Sequence, residues 1–114
     1  MIDRELIEGM FADIRSRGKW DMDGPMLWGF FFTDEEREKL EAAAKKLVDG
    51  GYTFVDIFLA EESGDEDTDL WFLHVERVEH LTVDTLDNRN RELSTFASKH
   101  GLRSYDGMDV GPRN

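Results

Sequence analysis

Residues 26–59 read MLWGFFFTDEEREKLEAAAKKLVDGGYTFVDIFL. The opening run, Met26–Phe32, is too short for a helix and rich in strand formers, so it is expected to be a buried strand. Thr33 then precedes Asp-Glu-Glu, and a capping box is expected: the Thr33 hydroxyl accepts from the first turn while Glu36 reaches back. Leu40, Ala43, Ala44, Leu47 and Val48 recur at helical spacing, giving a helix that ends near Asp49. Gly50-Gly51 terminates it. The small alanines favour close packing of that helix on a sheet. Residues 52–59, YTFVDIFL, form a second strand.

Working outward from this β-α-β unit, residues 3–17 read as an amphipathic helix with Leu6, Ile7, Met10, Phe11 and Ile14 on one face. Arg15 and Arg17 suit its C-terminal dipole, and Gly18 is its stop. Lys19–Pro25 is a connector. After the second strand comes EESGDEDTD, residues 61–69, with six carboxylates in nine positions. Residues 70–78 form a third strand, joined to the second by a hairpin across the acidic stretch. A helix over about 83–100 is capped by Thr82, turns Leu86, Leu93, Phe96 and Ala97 inward, and closes at His100-Gly101. A short fourth strand is expected near Arg103–Tyr105, with Tyr105-Asp106-Gly107 running into an Asp-Gly turn. The order α, then β-α-β-β-α-β, predicts an α+β fold: one ferredoxin-like split βαββαβ sandwich over residues 1–114, with an extra N-terminal helix. Right-handed crossovers would place both core helices on one face of an antiparallel sheet. Where the N-terminal helix packs, and the oligomeric state, stay open.

Composition narrows the function classes. The 114 residues carry 26 acidic against 14 basic side chains, a formal net charge of −12. Such a body repels polyanions and attracts cationic partners. There is no cysteine, which excludes disulfides, thiolate metal sites and a cysteine nucleophile. No run approaches the ~20 apolar residues of a membrane span. The N-terminus lacks the basic and apolar regions of a signal peptide, and a cytoplasmic protein is expected.

Catalytic and ligand motifs are weak by comparison. Asp65, Asp67 and Asp69 alternate, with Glu76 at the twelfth position of a calcium loop, but Leu70 stands where that loop needs glycine. His74, His80 and His100 lack the spacing of a helical zinc pair. No serine sits in a nucleophile elbow, and Gly50-Gly51 follows a helix instead of opening one, so no phosphate loop is formed. An RRM would need a basic residue and stacking aromatics on the third strand. Trp71 and Phe72 point to opposite faces there, behind six acids. No cofactor or metal is expected, and no direct nucleic-acid contact.

Three stretches resemble a known family, the regulator of ribonuclease E activity B (RraB) family. They are Trp28–Val55, with FFFTDEEREKLEAAAKKLVDGGY; Trp71–His100, with LTVDTLDNRNRELSTFA; and Tyr105-Asp106-Gly107. The resemblance implies a ferredoxin-like sandwich and a small acidic regulator without catalytic activity. It also implies a partner: the basic, non-catalytic scaffold of ribonuclease E, with inhibition of RNA cleavage and hence of RNA degradation. Met108 and Asp109 stand where relatives commonly carry Trp and Gly, and some relatives continue into a long acidic extension, whereas this sequence ends at Pro112-Arg113-Asn114. The expected docking residues are Glu61, Glu62, Asp65, Glu66, Asp67 and Asp69, with Tyr105 and Asp106 as a second group. The runner-up reading is a small-molecule or divalent-cation-binding domain, with an enzymatic role, using the open sheet face or a dimer cleft.

Overall fold

Trp28, Phe30 and Phe32 alternate along one strand and are all fully buried, which makes that strand the centre of the molecule. The structure, a computed structural model, describes residues 3–18, 20–21, 23–60 and 70–112. In chain order it contains α1 (Arg4–Arg17), β1 (Met26–Asp34), α2 (Arg37–Asp49), β2 (Thr53–Leu59), β3 (Trp71–Glu79), α3 (Val83–Lys99) and β4 (Ser104–Gly111). The four strands form one sheet in the order β2-β3-β1-β4, and every neighbouring pair is antiparallel. The fold is thus α+β, with three helices and a four-stranded antiparallel sheet.

The buried side of β1 packs against all three helices. Leu40, Ala43, Ala44 and Leu47 of α2, and Leu86, Leu93 and Ala97 of α3, join Leu73 and Val75 of β3 in one core. Each large side chain withdrawn from water contributes about 1.5–3 kcal/mol. The α1 helix adds Ile7, Phe11 and Ile14 to the same core. Phe11 stacks on Trp28 at 6.1 Å between ring centroids, and α1 lies against α3. The N-terminal helix therefore belongs to the helical layer and leaves the opposite sheet face alone. Leu6, expected on the inner face, is 63% exposed.

The capping box expected at Thr33 and Glu36 does not form, for a physical reason. Thr33 does not cap α2. It is buried as part of β1, and its hydroxyl meets that of Ser104 on β4 at 2.6 Å. A β-branched residue suits the pleated ladder, and the strand simply continues through it. Asp34 organises the turn instead: Oδ2 accepts from the Glu36 amide at 2.8 Å and Oδ1 from the Arg103 amide at 2.9 Å. Glu36 is the N-cap and makes no side-chain capping bond. At the far end, α2 stops at Asp49 as expected: Gly50 caps it and Gly51 takes a positive φ, 103°. Thr82 caps α3 as expected too, accepting from the Thr85 amide at 3.2 Å, while Thr85 Oγ1 accepts from the Thr82 amide at 2.8 Å.

The largest departure is β4, eight residues long. Tyr105-Asp106-Gly107 is a bulge, not a turn. Tyr105 pairs with Phe32 and Gly107 with Phe31, leaving Asp106 as the extra residue. Gly107 has φ 125°. Asp-Gly marks backbone that needs a positive φ, and a bulge uses it as well as a turn does.

Candidate docking surface

The register of the sheet sorts its side chains onto two faces. Phe30 pairs with Val75 and Phe32 with Leu73, so these point towards the helices. The alternate residues Leu27, Gly29, Phe31 and Thr33 of β1 point the other way, with Phe72, His74, Glu76 and Val78 of β3. Asp56 and Phe58 of β2 pair with His74 and Phe72 on that face, and Asp109 of β4 pairs with Gly29. Among the described residues, no helix covers this side.

Aromatic rings line it. Phe31 stacks on His74 at 4.4 Å and 18°, and Phe58 on Phe72 at 5.5 Å and 8°. Cross-strand aromatic pairs of this kind stabilise a sheet by roughly 0.2–1 kcal/mol each. Beside them Gly29 allows two side chains to approach the backbone closely. A Cβ there would sit 2.4 Å from Asp109 Oδ1 and 2.8 Å from His74 Nε2. His74 Nε2 is buried and has no hydrogen-bond partner among the described residues. Among the described residues, the face carries three carboxylates, Asp56, Glu76 and Asp109, and no lysine or arginine. Among the described residues, none of the three carboxylates is in an ion pair, whereas eleven ion pairs link acids and bases elsewhere.

The helical side holds a different polar system. Arg89 of α3 grips Glu79 of β3 through two bonds, 2.6 and 2.8 Å, and both side chains are only 16% exposed. That hydrogen bond raises the Arg89 pKa further. The same guanidinium lies over Phe30 at 5.9 Å and Tyr52 at 5.8 Å. The Tyr105 hydroxyl donates to Asn90 Oδ1 at 2.6 Å. Burial, with a smaller contribution from Tyr52, holds the Tyr105 phenol well above the usual tyrosine range. This arrangement fastens α3 to the sheet.

Of the expected docking residues, Glu61, Glu62, Asp65, Glu66, Asp67 and Asp69 lie outside the described residues. The hairpin that carries them closes at Ala60, whose amide donates to the Leu70 carbonyl at 2.9 Å. Tyr105 is half-buried with its hydroxyl turned inward. Asp106 is exposed as a residue, yet partial burial of its carboxyl raises its pKa. It borders a groove between α1 and β4 lined by Leu6, Met10 and Met108. Of the calcium-loop pattern, Glu76 stands in the middle of β3, and its three aspartates lie outside the described residues. No group of three or more His, Asp or Glu among the described residues is placed to hold a metal ion.

The open-face aromatics escaped the sequence reading, although their signal was present. Alternation in β1 and β3 puts Phe31 in step with Gly29, and Phe72 in step with His74.

No helix among the described residues is long and apolar enough to cross a membrane. No curated protein matches the chain significantly. A family model described as regulator of ribonuclease activity B matches residues 4–110, nearly the whole chain, and the protein belongs to that RraB family.

Proposed function

We propose that the protein is a non-catalytic regulator that inhibits ribonuclease E by docking on a basic segment outside the nuclease's catalytic part. The observation that carries this reading is the charge: 26 acids against 14 bases, and an open sheet face that, among the described residues, has three carboxylates and no lysine or arginine. A negative surface steers a positive polypeptide towards it and disfavours phosphodiester chains. Family membership supplies the class of target, a ribonuclease whose activity is regulated.

On this reading, Glu61, Glu62, Asp65, Glu66, Asp67 and Asp69 accelerate encounter and select the partner more than they add affinity. Asp106 adds a further carboxylate, on the segment of β4 that Tyr105 anchors. The work is done by a single cytoplasmic domain over residues 1–114, without contact to RNA. The strand order, with each crossover spanning one intervening strand, supports a ferredoxin-like split βαβ core.

The test is an RNA cleavage assay with full-length ribonuclease E and with its catalytic part alone. Inhibition of the first and not the second is expected. Equal inhibition of both, or of neither, overturns the proposal.

A further inference from the structure

We propose that the open sheet face binds the partner by stacking arginine side chains on Phe31, Phe58, Phe72 and His74, with their guanidinium groups paired to the carboxylates of Asp56, Glu76 and Asp109. This rests on the reading above that the partner is a basic polypeptide, and it names the surface and the residue type recognised.

Four observations converge. The rings form two stacked pairs on neighbouring strands, so flat apolar surface is already assembled. The polar groups among them are the carboxylates of Asp56, Glu76 and Asp109, none of them in an ion pair among the described residues. The Asp109 carboxylate and the His74 ring close in over Gly29, which sets a carboxylate directly beside the Phe31–His74 pair. Finally, Phe58 and Phe72 lie three residues in sequence from Glu61 and Asp69, the two ends of the densest acidic stretch.

Arginine fits this chemistry better than lysine. Its guanidinium is planar, weakly hydrated, stacks on aromatic faces and donates in a fork. Single-stranded RNA also stacks on aromatics, but its phosphates would meet three carboxylates with no compensating base. A second copy of this chain would bring the same carboxylates against each other.

The test uses the full chain, titrated with arginine-rich and lysine-rich peptides of equal length and charge, with NMR of the open-face resonances. The expected result is tighter binding of the arginine peptide, with shifts at His74 and Phe72. Phe72→Ala should weaken arginine binding about tenfold and erase the preference over lysine. Asp109→Asn, which keeps the side-chain shape, should weaken both peptides. Thermal melts confirm that each variant folds, and the wild-type arginine preference stands independently of any variant. If wild type binds both peptides equally with no shift on this face, the inference falls while the basic-partner reading stands. If wild type binds neither, both fall. Face-dependent binding of single-stranded RNA, or self-association through the face, also overturns the inference.

Discussion

Asn90 and Tyr105 are 15 residues apart in sequence and meet at 2.6 Å inside the protein. Asn90 is almost completely buried, and its Nδ2 has no partner, so the Tyr105 hydroxyl supplies the side chain's only bond among the described residues. Tyr105→Phe leaves a second buried polar atom unpaired and should lower stability by about 1–3 kcal/mol, read from denaturant unfolding. The pH dependence has a definite sign. The folded-state phenol titrates above the unfolded value of 10, so this contribution is full below pH 10 and is lost as pH rises above it. Alkaline unfolding should begin above pH 10, and Tyr105→Phe should flatten that slope. Tyr105 was legible as a strand residue near a special backbone position. Its inward hydroxyl was not, because that depends on the bulge at Asp106 and on which face of α3 carries Asn90. Gly29 hid similarly: a lone glycine in an apolar run says that something approaches, but not that Asp109 does so from three strands later in the chain.

At the level of elements, the two threonines Thr33 and Thr82 precede helices in similar local sequence and do different things. Thr82 follows the end of β3, free of the ladder, and caps α3. Thr33 is claimed by pairing with Phe72 on one side and Ser104 on the other. Local capping signals were therefore reliable only where no strand competed for the residue. Thr82→Ala should cost about 1 kcal/mol. Thr33→Val keeps the branched shape and removes only the contact with Ser104, so it should cost less than Asp34→Ala, which strips two amides of their acceptor. Comparative urea melts of the three variants check this order. The β4 strand was underestimated because Ser104–Gly111 contains two glycines and two aspartates, poor strand formers. Pairing with the central strand outweighs that weak propensity. The link between layers is Arg89. Arg89→Ala strips the half-buried Glu79 of two hydrogen bonds, leaving it only Arg77 at 3.9 Å, and should destabilise by about 1–3 kcal/mol, whereas Glu79→Gln with Arg89 intact should cost less.

Across the whole molecule, charge is distributed by surface. Acids on the helices are largely matched by arginines and lysines at three or four residues' remove or across elements, as in Arg37–Glu41 and Arg4–Asp84. Exposed pairs of this kind add little stability, at most about 1 kcal/mol each. They do neutralise the helical side. The surplus of acid therefore falls on the open face and on the stretch from Glu61 to Asp69. Composition made the sign of the partner legible, but only the sheet register shows which face is left without bases. Replacing the six acids of residues 61–69 by their amides should slow association with a basic peptide and flatten its salt dependence, with a smaller effect on dissociation. The most direct measurement is a paired titration of the purified chain with an arginine-rich peptide and with single-stranded RNA of equal length, across rising ionic strength. Binding of the peptide that weakens steadily with salt, and none of the RNA, is the expected result. Tight capture of the RNA, or indifference to the peptide at low salt, would contradict it.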